Sequence, residues 1–197
     1  MDTSKIFIPI LLGTVRQGRE SEKVAGLIHG YIVKNHPDIE TELFDPRDMD
    51  LPSDDDGTAL KSRNPAWQAA MQRADGLIIV APEYNHGYPG SLKRALDVLL
   101  EEYIHKAVGL VGVSSGGMGG VRVVEALTPV VRELGLCVTF SDLYFPRAGD
   151  AFNDDGSPKD EAAYKHIDAF LTELSWMART MKWGRENLPS KYHVLSV

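Results

Sequence analysis

The stretch "GLIIVAPEYNHGYPGSLKRALD", residues 76–97, carries the fold in miniature. Residues 76–82 form a continuous apolar run, as a strand covered on both faces requires. Pro82, Gly87, Pro89 and Gly90 then impose an extended, twice-turned path. Leu92, Ala95, Leu96, Leu99 and Leu100 follow on one helical stripe. A strand feeds a turn-rich loop, and the loop feeds a helix.

The same alternation extends in both directions. "IFIPILL" (6–12), "IETELFDP" (39–46), "AVGLVGVSS" (107–115) and "LCVTF" (136–140) are the other expected strands. The first is followed by a helix with Val24, Leu27, Ile28, Tyr31 and Ile32 on one face, and the fourth by one with Val123, Val124, Leu127, Val131 and Leu134. Pro129 predicts a kink in the latter. A last helix is expected near 160–181, with Ile167, Phe170, Leu171, Leu174, Met177 and Met181 turned inward. Five such units predict an α/β domain with a parallel, doubly wound sheet and helices on both faces. The whole chain, 1–197, is expected to be one domain, with a core of about 5–181 and a tail of about 184–197.

The chain has 197 residues, 43% hydrophobic and 25% charged, with a formal net charge of −7. That charge argues against general binding to nucleic acid, which needs cations to neutralise phosphates. No apolar run reaches the roughly 20 residues that span a bilayer, and "MDTSKIFIPILLGT" reads as a first strand rather than a leader. The single cysteine, Cys137, reads as a buried, inert thiol, consistent with a reducing cytoplasm. The acidic run "DPRDMDLPSDDDG" (45–57) lacks the spacing of a calcium loop and reads as solvated. "NDDGSP" (153–158) reads as a turn.

In a doubly wound sheet, ligands bind outside the carboxyl ends of the strands. That rule selects three loops: 13–21, 82–90 and 114–120. The first, "GTVRQGRES", has the glycine spacing of a nucleotide P-loop but lacks its Lys-Ser/Thr pair, so nothing is built to hold Mg²⁺ and a γ-phosphate. Thr14, Ser21, Arg16, Arg19 and the free amides of a helix start suit a terminal phosphate. On this loop alone, an arginine-rich surface turn with Ser21 as N-cap stays equally open. In the second loop, Tyr84, Asn85 and His86 stand at the strand edge, an aromatic ring beside amide donors for a planar heterocycle. Glu83 reads equally as a solvent-facing acid whose backbone matters, and His86 as a turn residue with a local hydrogen bond. In the third, "SSGGMGG" (114–120) lets backbone approach a ligand closely. It lacks the dinucleotide fingerprint, and it follows the fourth strand rather than the first.

"GTVR" with a nearby Ser, "PEYNHGYPGSLKRALD" and "SSGGMGGVR" occur in this order at the ends of strands one, three and four. In these motifs the chain resembles the NAD(P)H-dependent FMN reductases, which include quinone, azo-dye and chromate reductases. The resemblance covers about residues 5–175 and implies a flavodoxin-like fold with strand order 2-1-3-4-5. It implies that Thr14, Arg16 and Ser21 surround the FMN phosphate. Pro82, Glu83, Tyr84 and Asn85 would meet the isoalloxazine and ribityl region, largely through backbone. Ser114, Ser115, Gly116 and Gly117 would wrap the pyrimidine side. The family's usual loop is Gly-Ser-x-Arg-x-x-Ser; here Thr14 replaces the first Ser, and Ser21 comes two residues late. Arg19, in that insertion, is expected to share the FMN phosphate or to reach the phosphate of NADPH.

The resemblance further implies FMN as cofactor, NADPH or NADH as co-substrate, ping-pong hydride transfer to a small-molecule electron acceptor, and a homodimer or homotetramer. The helix at 91–100 with "EEYIH" is a candidate interface. No catalytic side chain and no metal ligand are expected, since the flavin carries the chemistry. A flavodoxin-type electron carrier and a flavin-binding regulatory protein are the competing functions.

Overall fold

The computed structural model describes residues 5–52 and 60–192. The sheet is parallel throughout. β1 (Ile6–Phe7) pairs with β3 (Ile39–Glu40). β2 (Ile10–Leu12) pairs with β4 (Leu43–Phe44) and with β5 (Gly76–Pro82). β5 pairs with β6 (Ala107–Val113), and β6 takes both β7 (Cys137–Val138) and β8 (Leu143–Phe145). The path β4-β2-β5-β6-β7 is the expected order 2-1-3-4-5, the flavodoxin-like arrangement, with strands one, two and five each in two pieces.

Each break has a local cause. Pro9 separates β1 from β2, and proline has no N–H to give to a ladder. Its carbonyl still accepts the Ile78 amide at 2.9 Å, so the two pieces run on as one strand. Between β3 and β4 the Thr41 hydroxyl donates to the Ile8 carbonyl at 2.8 Å in place of a backbone group. Between β7 and β8 the Thr139 hydroxyl donates to the Ser141 carbonyl at 3.2 Å, and the chain turns out, leaving Phe140 86% exposed. The sequence pattern had ended strand five at Phe140 and missed β8.

Two apolar layers cover the sheet. On one face lie α1 (Glu20–Asn35), through Val24, Ile28 and Ile32, and α6 (Ala162–Asn187), through Ile167, Phe170 and Leu174. Phe170 packs against β6 at Gly109, where an added Cβ would stand 2.4 Å from its ring. On the other face lie α3 (Pro65–Arg73), α4 (Gly90–Asp97) and α5 (Val121–Glu133). Trp67 donates its indole N–H to Tyr103 at 3.2 Å inside this layer.

Several expectations change. The sequence pattern had placed no helix between strands two and three, where α2 (Leu60–Arg63) and α3 stand. The helix expected at 91–100 ends at Asp97; Leu99 is buried beyond it, and Leu100 is exposed. α5 continues through Pro129. α6 runs to Asn187, six residues past its expected end, because Lys182 and Arg185 reach buried Asp75 at 3.3 and 2.8 Å. The acidic run is not simply solvated: Asp45 and Asp50 take arginine partners, while Asp54, Asp55 and Asp56 lie outside the described residues. Burial raises the half-buried Cys137 thiol above its ordinary range, which favours the protonated form.

Candidate functional site

Loop one leaves the sheet where the two backbones run close together. The Gly13 amide donates to the Val80 carbonyl at 2.8 Å, and a Cβ at Gly13 would stand 2.8 Å from that same oxygen. Only glycine fits where β2 meets β5 this closely. Thr14 follows, buried, and its hydroxyl shares a 3.0 Å hydrogen bond with the Tyr84 hydroxyl. Thr14 Oγ1 also accepts the Arg16 amide at 3.2 Å. The exposed Arg16 guanidinium stands 6.0 Å from the centre of the Tyr84 ring. Thr14 and Arg16 of loop one and Tyr84 of loop two thus meet.

Ser21 is not the cap of α1. Arg19 holds the N-cap position in extended backbone and offers no side-chain cap. Ser21 lies buried in the first turn, and its hydroxyl finds no partner among the described residues. The amino end of α1 therefore has no side-chain cap, and among the described residues the one first-turn amide with a backbone partner is that of Glu22, on the Arg19 carbonyl at 3.3 Å. The first turn also carries Glu20 and Glu22, but these pair with Lys23 and Arg19.

Arg19 is not available to a phosphate, contrary to expectation. Its side chain is 2% exposed. It donates to both oxygens of Asp45, to the Thr14 carbonyl, and through Nε to Glu22 at 3.2 Å. The hydrogen bond to Asp45 raises the guanidinium's already high pKa. Burial pushes the Asp45 carboxyl up, but Arg19 and Arg47 outweigh it and hold the carboxyl below its ordinary range.

Loop two turns sharply. Asn85 and His86 both have positive φ, 49° and 70°. Tyr84 and Gly87 close over them with amide-to-carbonyl bonds of 2.9 and 3.0 Å. This is the two-residue turn that needs left-handed backbone at both central positions. Asn85 and His86 are exposed at its tip, and Tyr84 and Pro82 are half-buried beneath it. Glu83 is neither free nor solvent-facing: its side chain is 10% exposed and paired with Arg122.

In loop three, the Ser114 hydroxyl donates to the Gly116 carbonyl at 3.0 Å. That carbonyl also accepts the Arg147 amide at 3.0 Å. Ser115, Gly116 and Gly117 are exposed. The glycines of this region fall into two kinds. A Cβ at Gly112 or Gly120 would stand within 2.7 or 2.5 Å of backbone, so packing demands glycine there. At Gly116 a Cβ meets nothing within 4 Å, and at Gly117 it meets only the Arg147 guanidinium at 3.8 Å. Packing leaves those two unexplained, and bare backbone stands open beside the strand ends.

The donor set suits a phosphorylated planar ligand. An uncapped helix end with Arg16 and Thr14 fits the anion, the Tyr84 ring fits an aromatic group, and the open backbone of 115–117 fits its polar edge. Sequence reasoning missed Asp45, Arg47, Arg122 and Arg147. It also missed a cleft of about 790 Å³ beside loop three, lined among others by Met118, Tyr144, Pro146, Arg147 and His166. The signal for the first two was "FDPRD", charged residues at the end of the strand beside strand one.

Comparison of the whole sequence with known proteins gives a family match. The model of the NADPH-dependent FMN reductases matches residues 7–150. An NAD(P)H-dependent FMN reductase of Schizosaccharomyces pombe is 33% identical over 150 residues, 71% of this chain and 74% of that protein. A quinone reductase of Pseudomonas putida is 25% identical over 178 residues, 86% of this chain and 94% of that protein. Among solved structures, FerB, a flavoenzyme NAD(P)H:(acceptor) oxidoreductase from Paracoccus denitrificans, aligns with a TM-score of 0.71 at 20% identity, over 87% of this chain and 98% of that one. That last likeness concerns the fold.

Proposed function

This chain belongs to the NADPH-dependent FMN reductase family, and from that premise we propose that it is an FMN-bound oxidoreductase that takes hydride from NAD(P)H and passes reducing equivalents to a small acceptor such as a quinone. When bound, FMN supplies the hydride-accepting and electron-donating chemistry. The chain's own residues hold and orient. Arg16, Thr14 and the uncapped amino end of α1 neutralise and bind the phosphate. Ser21, buried there without a partner, gains one from any group that enters the turn. Tyr84 and the backbone of Pro82, Glu83 and Asn85 flank the ring system. The amides of Ser114, Ser115, Gly116 and Gly117 support negative charge on its pyrimidine edge.

One open binding face serves the nucleotide and the acceptor in turn, so the kinetics are ping-pong. The protein works as a homodimer or homotetramer in the cytoplasm. The observation that carries the reading is the meeting of Thr14, Arg16 and Tyr84 beside a helix end left uncapped.

Anaerobic mixing of the yellow protein with NADPH tests the activity: the visible band bleaches, and a quinone restores it. Bound flavin that NADPH leaves oxidised refutes the reductase reading and favours an electron carrier. Arg16→Ala tests the site, with an FMN dissociation constant raised about tenfold, one charged hydrogen bond's worth. An unchanged constant removes Arg16 from the phosphate.

A further inference from the structure

Loop one is gripped from behind. The carbonyls of Thr14, Val15 and Arg16 each accept from an arginine of the opposite side. Thr14 O accepts Arg19 Nη1. Val15 O accepts Arg47 Nε at 3.1 Å, and Arg16 O accepts Arg47 Nη2 at 2.5 Å. Both arginines stand on one carboxylate: Asp45 takes Arg19 Nη1 at 2.9 Å and the Arg47 backbone amide at 2.9 Å. Asp45 ends strand two, so the grip ties loop one to the neighbouring strand.

Backbone geometry makes this more than a strut. No peptide in the described chain is cis, and a trans peptide points its N–H opposite to its C=O. Three consecutive carbonyls held on the arginine side therefore send the amides of Val15, Arg16 and Gln17 the other way. The Arg16 amide goes to Thr14 Oγ1. Those of Val15 and Gln17 meet no acceptor among the described residues. Gly18 follows with φ of 62°, the left-handed position that lets successive amides converge into an anion-binding hollow.

We infer that Asp45, Arg19 and Arg47 form a clamp whose task is to orient the loop-one amides toward an anion, so that two arginines beside the site position the phosphate loop rather than touch the phosphate. The inference rests on the reading of loop one as the FMN phosphate loop, and it adds three positioning residues to it. It also explains the two extra residues between Arg16 and Ser21. They bring Arg19 round to the back of the loop, where Asp45 waits, and leave Arg16 as the front cation.

The clamp makes a prediction that a structural role does not. It acts on the phosphate end of the ligand alone, so it sets preference for FMN over riboflavin, which differs by that phosphate. Arg47→Met is the first variant, because Arg47 is exposed and the fold does not depend on burying it. FMN and riboflavin are each titrated into apoprotein and followed by flavin fluorescence, with thermal unfolding of the same samples. The FMN dissociation constant rises about tenfold while that for riboflavin stays within about twofold, on the scale of one or two lost orienting contacts. Arg47→Lys keeps the charge but not the fork, and it fails to restore the preference. Asp45→Asn lowers the preference in the same direction.

Equal weakening of both flavins in Arg47→Met refutes the clamp and leaves a structural brace. So does an unchanged FMN preference, and so does full rescue by Arg47→Lys, which makes Arg47 a distant cation. Wild-type protein that holds riboflavin as tightly as FMN refutes the phosphate-loop reading itself, and the clamp with it.

Discussion

Arg122 donates its backbone amide to Glu83 Oε2 and its guanidinium to Glu83 Oε1, each over 3.2 Å. A carboxylate from loop two thus closes the amino end of α5, the helix that loop three opens into. Negative charge is favourable at that end of a helix. The helices that follow loops one and three, α1 and α5, are therefore treated differently. At α5 a carboxylate accepts a first-turn amide, whereas the first-turn acids of α1, Glu20 and Glu22, are paired with Lys23 and Arg19. On the proposed function, this difference favours α1 over α5 as the phosphate end of the site.

Glu83→Ala removes that closure and releases the Arg122 amide and guanidinium together. The expected loss is about 1–2 kcal/mol of stability, the range for a lost helix cap. Loops two and three also lose their shared anchor, so FMN affinity falls with it. Urea unfolding and flavin titration check the two effects; a variant as stable as wild type shows that the ion pair contributes nothing.

Two glycine substitutions separate packing from binding. Gly120→Ala drives a Cβ to 2.5 Å from the Val113 amide at a φ of 89°, and it destabilises by several kcal/mol. Gly116→Ala meets no protein atom within 4 Å and leaves the melting temperature within about 2 °C of wild type, on the scale of a surface change. It nonetheless weakens FMN, because its methyl group stands over backbone offered to the ring. Retained FMN affinity in Gly116→Ala removes that glycine from the site.

Tyr84→Phe deletes one hydroxyl, the partner of Thr14 Oγ1 at 3.0 Å. Thr14 keeps the Arg16 amide, so the expected stability loss is modest, about 0.5–1.5 kcal/mol. The aromatic ring proposed to flank the flavin is kept. A changed FMN-to-riboflavin preference in this variant, read by parallel titrations, reports that the hydroxyl steers Thr14 toward the phosphate.

Lys106 gives a pH signature at the far end of the sheet. It is buried and donates to the Met71 and Gln72 carbonyls at the end of α3. Burial, then Arg185, lowers its pKa from 10.5 to about 8. Between pH 8 and 10.5 the unfolded chain binds more protons than the folded one, so this group's contribution to stability rises with pH. Lys106→Met abolishes that rise. Melting temperatures of the two proteins at pH 7.5 and 9.5 check it: the gap between them changes in favour of wild type at the higher pH. Parallel curves refute the assignment.

The fold was legible because parallel strands covered on both sides are apolar without interruption, as at 76–82 and 107–113. The breaks in the outer strands were not legible: Thr41 bonds to Ile8, 33 residues back, and Thr139 bonds locally to Ser141 at a point where the apolar pattern gives no sign of a turn. α3 was missed because nine residues with only Trp67, Ala70 and Met71 inward carry little periodic signal. In the site, the three loops stood out by glycine, proline and charge. The work of Arg19 did not. Composition shows a cation near a phosphate loop, but not the carboxylate 26 residues away that claims it. Strand order brings Asp45 to that loop, so the pairing becomes visible only in the folded chain.

The interrupted outer strands bear on how copies of the chain meet. On one margin β3 and β4 are two residues each, and on the other β7 is two and β8 three. A long, flat margin invites another chain to add a strand and seeds aggregation. Both margins here are too short and too broken to template one. Growth of the sheet from molecule to molecule is disfavoured by the same side chains, Thr41 and Thr139, that stand at the breaks in its outer strands.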